Sequence, residues 1–121
     1  MSQIIGVVTD LFFTVKVIDA AKKAGLTVKF VKSAEAALEK AREGARLLVV
    51  DLNCRDVDTV DLIRRMREDP ALAAIPALGF LSHVQESRKQ EALAAGCSRV
   101  VPRSVFSDRT AELLIEVAAA A

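Results

Sequence analysis

The sequence is poor in the residues that build many common binding sites. Its 121 residues include no tryptophan, no tyrosine, two cysteines and one histidine. The only aromatic residues are five phenylalanines, so we expect no platform on which nucleic acid bases could stack. Cys54 and Cys97 form no CxxC motif and His83 stands alone, which excludes the usual spacing of zinc ligands. Two isolated cysteines also favour a reducing compartment.

The chain has neither an excess of one charge nor a long hydrophobic run. Its 17 Lys and Arg against 16 Asp and Glu give a net charge of +1, so we expect no nucleic acid partner. No apolar run approaches the ~20 residues that span a bilayer. Residues 1–8 lack the positively charged start of a signal peptide. These absences predict a cytoplasmic protein without a membrane partner.

What is present is a repeated pattern of helix, glycine and apolar strand. Gly25, Gly44 and Gly96 each follow a helical run, as is typical of a glycine that ends a helix in the left-handed conformation. Such alternation predicts parallel strands with right-handed crossovers, in a single three-layer α/β domain of five strands and five helices over residues 1–121. The predicted strands are 4–8, 26–31, 45–50, 77–81 and 98–101.

The predicted helices begin at recognisable polar residues. We expect Ser33 and Asp58 to cap the second and third helices. Ser82 lies three residues before Gln85, which is the spacing of a capping box for the fourth helix. Ser107 is the expected cap of the last helix. The first helix, from about residue 12 to 24, opens with two adjacent phenylalanines, of which only one can lie on its buried stripe.

Polar residues follow several of the predicted strands. Asp51 comes directly after the apolar run 47–50, which is typical of a strand covered on both faces. The carboxyl ends of parallel strands lie at one edge of the sheet, where open α/β folds bind their ligands. Two carboxylates near a hydroxyl and a cation are suited to Mg²⁺ and a phosphoryl group, toward which an aspartate can act as nucleophile. The residues expected at this edge are Thr9, Asp10, Asp51, Asn53, Leu81, Ser82, Pro102 and Arg103.

Five segments of the chain form a further pattern, namely 7–10, 48–53, Asp58 with 62–67, 75–76 and 94–97. Together they resemble the CheY-like receiver domains of two-component response regulators, over nearly the whole chain. The resemblance implies a flavodoxin-like doubly wound sheet with strand order 2-1-3-4-5. It also places Asp51 at the phosphoacceptor position, Asp10 at an acidic magnesium position, and the carbonyl of Asn53 at a magnesium ligand position.

The chain departs from the receiver pattern at four positions. Thr9 stands where the family has a second acidic residue, and Val100 stands at its aromatic switch position. Leu81 occupies the switch hydroxyl position, with Ser82 one residue late, and it cannot hydrogen-bond a phosphoryl oxygen. Arg103 replaces the family's lysine, and a planar guanidinium does not substitute for a compact ammonium.

These departures favour a degenerate receiver, or pseudo-receiver. In this interpretation the chain is a stand-alone signalling module that binds a histidine kinase or an output component. Phosphorylation of Asp51 is impaired or absent, and an ion pair with Arg103 fills the site. We expect no enzymatic turnover, since no set of nucleophile, base and orienting group is evident.

The same residues leave alternatives open. In a working phosphoacceptor Asp51 would be the nucleophile and Asp10 and Asn53 would place Mg²⁺. A flavodoxin-like nucleotide or flavin binder is less consistent, because the chain has no glycine-rich phosphate loop. In purely structural roles, Asp51 would cap amides of its own loop and Asp10 would cap the first helix. The phosphoryl and switch positions of the working site would be Thr9, Ser82 and Arg103.

Overall fold

The computed structural model describes residues 3–82 and 85–120, so His83 lies outside the described residues. The strands form one parallel sheet in the order β2-β1-β3-β4-β5. This order confirms the predicted doubly wound arrangement. The strands are β1 (Gln3–Val7), β2 (Thr27–Phe30), β3 (Leu47–Asp51), β4 (Ala77–Leu81) and β5 (Arg99–Pro102).

Helices cover both faces of the sheet. One face packs against the second, third and fourth helices, and the other packs against the first and the last two. The predicted three-layer α/β architecture is therefore confirmed. Within residues 3–82 and 85–120, no helix has the length and apolar character needed to cross a membrane. The helices are α1 (Leu11–Lys23), α2 (Ala34–Arg42), α3 (Thr59–Glu68), α4 (Glu86–Ala95), α5 (Arg103–Asp108) and α6 (Thr110–Ala119).

The central strand β3 is buried on both sides along its whole length. Leu47 and Val49 lie in the core that includes α1 and α6, while Leu48 and Val50 lie in the core that includes α2 and α3. Each such side chain contributes about 1.5–3 kcal/mol when fully buried. This two-sided burial explains why residues 47–50 form a continuous apolar run. Asp51, the first polar residue after this run, therefore lies at the carboxyl end of the strand.

Two of the predicted helix caps are confirmed. The Ser33 hydroxyl accepts a hydrogen bond from the Ala36 amide at 3.0 Å, and the Asp58 carboxylate accepts one from the Asp61 amide at 3.1 Å. Each bond satisfies an amide that the first turn of a helix leaves without a partner. The glycines expected to follow helices all have positive φ, which agrees with left-handed helix ends at Gly25, Gly44 and Gly96.

The prediction that α4 starts at Ser82 is wrong. The helix starts at Glu86, and Gln85 precedes it without a side-chain cap. The Gln85 side chain instead accepts a hydrogen bond from the side-chain nitrogen Nδ2 of Asn53, so it does not complete a capping box. A contact with a distant loop has replaced the local motif.

The prediction of five helices is also wrong, because the last helix is divided into α5 and α6. Ser107 lies inside α5 and caps nothing. The Thr110 hydroxyl donates to the Phe106 carbonyl at 2.6 Å, which satisfies a carbonyl near the end of α5. Arg109 separates the two segments with non-helical dihedral angles of −126° and 31°.

Arg67, near the end of α3, holds two loops against that helix. Its Nε donates to the Gly96 carbonyl at 3.0 Å, and its Nη1 donates to the carbonyls of Ala73 at 3.1 Å and Ile75 at 2.6 Å. Burial lowers the pKa of Arg67, but a guanidinium stays charged at neutral pH. One side chain thus anchors the approach to β4 and the turn before β5.

We predict that Arg67→Ala lowers the free energy of unfolding by about 2 kcal/mol, because three carbonyls lose a charged donor. Urea denaturation followed by circular dichroism measures the change. Arg64→Ala is the matched control on the same helix, because its pairs with Asp61 and Glu68 lie at the surface and contribute little. Equal midpoints for the two variants would contradict the anchoring role.

Cys97 lies in the core before β5, and its Sγ lies 3.4 Å from the Ala77 carbonyl oxygen. Burial raises the pKa of this thiol to about 11. The folded protein therefore keeps the thiol protonated at pH 8, where a thiolate would be needed for reaction. Since the thiol of the unfolded chain has an ordinary pKa of 9.0, stability declines as pH rises from there through 11.

We predict that a maleimide labels the half-buried Cys54 but not Cys97 in the folded protein at pH 8. Both thiols should react in concentrated urea. Intact-protein mass spectrometry counts the adducts, and Cys54→Ser should leave none in the folded state. Two adducts on folded protein would show that Cys97 is accessible.

Candidate functional site

Asp51 ends β3 with a side chain that is only 4% exposed. Its Oδ1 accepts a hydrogen bond from the Asn53 amide at 2.8 Å, and its Oδ2 accepts one from Arg103 Nη2 at 3.0 Å. The predicted Asp51–Arg103 ion pair is therefore confirmed, and so is the capping of an amide in the same loop. Both carboxylate oxygens are engaged by donors of the chain itself.

Arg103 reaches Asp51 from the edge strand β5, which is two strands away from β3 at the same carboxyl edge of the sheet. It is the first residue of α5, directly after β5, and β4 lies between β5 and the strand that carries Asp51. The guanidinium carbon lies 5.4 Å from the centre of the Phe13 ring and 5.9 Å from that of Phe80. Its Nε is buried without a hydrogen-bond partner in the part of the chain that the structure describes. Aromatic faces and one carboxylate thus fix the cation.

Three phenylalanines form the floor beneath this cation. The Phe80 and Phe106 rings stack with centres 4.4 Å apart, and Phe13 lies 4.9 Å from Phe80. Phe12 is exposed, which confirms that only one of the adjacent phenylalanines is buried. The guanidinium of Arg103 therefore lies against the rings of Phe13 and Phe80, while its Nη2 faces the Asp51 carboxylate.

Asn53 links the loop after β3 to the segment around the end of β4. Its Nδ2 donates to Gln85 Oε1, and its Oδ1 accepts a hydrogen bond from the Ser82 amide at 3.1 Å. A pocket of about 80 Å³ near this link is lined in part by Leu81 and Val100. Ser82 therefore contacts the site through its backbone, and aliphatic side chains stand at both predicted switch positions.

Asp10 and Thr9 lie at the same edge but do not complete the site. Asp10 is exposed and its Oδ1 accepts from the Phe12 amide at 2.9 Å, so it caps α1 as the structural alternative predicted. Thr9 is exposed. Within residues 3–82 and 85–120, no hydrogen bond or ion pair joins either residue to Asp51.

The residues of this edge do not fit a magnesium ion in the arrangement that they adopt. Mg²⁺ requires oxygen ligands in near-octahedral geometry. The oxygens of Asp51 face an amide and a guanidinium, and the carboxylate of Asp10 turns to its own helix. Among the described residues, no three acidic, histidine or cysteine side chains cluster as metal ligands would.

Two further contacts around Asp51 were not predicted. The Thr59 hydroxyl of α3 donates to the Asp51 carbonyl at 3.1 Å. Arg88 of α4 donates through Nε to the Leu52 carbonyl at 3.0 Å and lies 3.6 Å from Asp58. Both contacts join residues from separate elements, so no local pattern in the sequence indicates them. Thr59 of α3 and Arg88 of α4 thus hold the end of β3 and the loop after it against these two helices.

Comparisons with known proteins agree with this architecture. No family model and no curated protein matches the chain. The chemotaxis protein CheY4 of Vibrio cholerae superposes with a TM-score of 0.82 at 19% identity, over 97% of this chain and 98% of that one. This chain has the receiver-domain fold. The receiver domain of a histidine kinase of Syntrophus aciditrophicus superposes with a TM-score of 0.83 at 14% identity, over 99% and 92% of the two chains.

A third structural neighbour is a receiver domain that contains a metal ion. The receiver domain of a sensor histidine kinase of Pseudomonas aeruginosa has a TM-score of 0.80 at 14% identity, over 97% of both chains. That structure has a magnesium ion coordinated in its active site cleft. In this chain the receiver fold is retained, while Arg103 reaches into the corresponding edge and pairs with Asp51.

We predict that Arg103→Met lowers the free energy of unfolding by about 2 kcal/mol, because it leaves a buried carboxylate without its cation. The methionine keeps the apolar contact with the phenylalanine floor. In the double variant Asp51→Asn with Arg103→Met, most of the loss should be recovered, since no unpaired charge stays buried. Urea denaturation measures both variants.

Arg99→Met is the control, because its pair with Glu116 is exposed. If Arg103→Met and Arg99→Met lowered the free energy of unfolding by the same amount, the Asp51–Arg103 pair would contribute no more to stability than an exposed pair.

Proposed function

We propose that this chain is a receiver-like signalling module that acts through protein–protein interaction without phosphorylation of Asp51. The Asp51–Arg103 ion pair, at 3.0 Å, is the observation that carries the proposal. A carboxylate that attacks phosphorus must present a free oxygen lone pair along the line of attack. Here one oxygen faces a guanidinium and the other accepts a backbone amide.

The charge of Arg103 supports the same conclusion. A guanidinium donates from several N–H groups in a planar fork, which suits it to a lasting contact with a carboxylate. In the phosphorylated form the same guanidinium would have to leave Asp51 for the added phosphoryl group. Its packing over the rings of Phe13 and Phe80 restricts that movement.

The aliphatic residues at the switch positions support a module with one state. Leu81 is buried and has no hydroxyl to donate, and Val100 has no ring that could exchange between an inner and an outer position. A two-state switch needs an element with two packed arrangements. Neither side chain provides one.

The partner that we propose is a signalling protein of a two-component pathway, either a histidine kinase or an output component. Receiver domains of histidine kinases are among the structural neighbours. The balanced charge of the chain supports a protein partner over nucleic acid or a membrane surface.

A working phosphoacceptor is the second candidate. It is favoured by the place of Asp51 at the carboxyl end of the central strand of a receiver fold, and by the magnesium ion of the Pseudomonas neighbour. In that case Arg103 would release Asp51 when Mg²⁺ and a phosphoryl donor bind. Asp10 would have to leave its cap and turn toward the metal.

Beryllofluoride, which mimics a phosphoryl group on aspartate, separates the two candidates. We predict that amide NMR signals of Asp10, Asp51 and Asn53 do not shift when Mg²⁺ and then beryllofluoride are added at millimolar concentrations. The physical reason is that one oxygen of Asp51 already faces the Arg103 guanidinium and the other already accepts the Asn53 amide. Shifts at these amides that require both additions would establish the phosphoacceptor and overturn the proposal.

A variant that restores the family's residues serves as the positive control. Thr9→Asp with Arg103→Lys adds a metal carboxylate and replaces the guanidinium with a shorter point charge. We expect magnesium-dependent beryllofluoride shifts in this variant and their loss when Asp51→Asn is added. If the variant shows these shifts and the wild-type protein does not, Arg103 and Thr9 are the residues that prevent the wild-type protein from binding beryllofluoride.

A further inference from the structure

The outer face of α1 is an apolar stripe that the chain leaves uncovered. Leu11 is 75% exposed, Val15 56% and Ile18 45%, and their spacing of four and three residues places them on one side of the helix. Phe12 flanks this stripe and is 55% exposed. The opposite side of α1 is buried in the core through Phe13, Val17, Ala20 and Ala21.

Opposite charges mark the two ends of the stripe. Asp10 caps the amino end of α1, and Lys22, four residues after Ile18, continues the stripe at the carboxyl end. Both side chains are exposed, and neither forms an ion pair within residues 3–82 and 85–120. Lys23 differs, because it pairs with Asp19 at 3.1 Å.

We propose that this stripe is the contact between two copies of this chain, packed with their α1 helices antiparallel. A two-fold axis between Val15 and Ile18 places Val15 against Ile18 of the partner subunit, and the reverse contact follows by symmetry. The same axis brings Lys22 to the amino end of the second helix, next to Asp10 of the partner subunit. Antiparallel packing brings the acidic end of each stripe to the basic end of the other, whereas parallel packing would bring like charges together.

The size of the stripe predicts a weak dimer. A helix of 13 residues is about 20 Å long, and one face of it covers far less than the ~800 Å² per partner of a standard interface. We therefore expect a dissociation constant of roughly 10⁻⁴ M. The contact uses none of the groups that hold the Asp51–Arg103 pair, so it stands independently of the proposed function.

Sedimentation equilibrium of the full chain tests the dimer. From about 10 μM to about 1 mM, the weight-average mass should rise from 13.0 kDa toward twice that value. A mass that stays at 13.0 kDa throughout would overturn the proposal and leave the stripe to a different protein.

Matched substitutions locate the contact. Val15→Glu should weaken association by roughly thirtyfold, because it buries a charge in the centre of the stripe. Leu93→Glu, at an exposed apolar residue of α4, should leave association unchanged. Circular dichroism establishes that both variants fold. Equal association of the two variants would overturn the proposed surface.

The direction of packing is tested through charge. Lys22→Glu brings like charges together and should weaken association by about two- to fivefold, with a smaller effect at high salt. Lys32→Glu makes the same charge change at an exposed residue away from α1 and should have no effect. An unchanged dissociation constant for Lys22→Glu would overturn the antiparallel arrangement.

Discussion

The ion pair between Asp51 and Arg103 is the interaction on which the rest of the carboxyl edge depends. It joins the central strand to α5 across the end of β4, and its cation lies on a floor formed by Phe13 and Phe80. A carboxylate buried to this extent is costly unless a cation and hydrogen bonds satisfy it. Arg103 and the Asn53 amide supply both, so groups of the chain itself satisfy the carboxylate.

The strands, the layers and two of the helix caps could be predicted because they depend on local or strongly patterned signals. A continuous apolar run identifies a strand buried on both faces, and the residue after it falls at the carboxyl edge. Ser33 and Asp58 satisfy amides only three residues away, which makes their caps visible in the sequence. The ion pair was expected from the resemblance to receiver domains, because Arg103 stands where that family has a lysine that contacts the phosphorylated aspartate.

The unpredicted features depend on contacts between distant segments. Gln85 bonds Asn53 instead of closing a capping box, so α4 starts later than its local signals indicate. The break before α6 depends on how the Thr110 hydroxyl meets one carbonyl of the preceding turn. The orientation of Arg103 depends on rings from α1 and β4, which no spacing in the sequence brings together.

A fixed edge also limits how the signalling that we propose for this chain could operate. A ligand shifts a conformational equilibrium only if it binds the two states differently, and Leu81 and Val100 offer no second packed arrangement. Helix α1 is the element that joins the exposed surface to the ion pair, since its inner face places Phe13 beneath Arg103 while its outer face exposes Val15. A protein bound to that outer face would have to move the helix in order to affect the ion pair through Phe13.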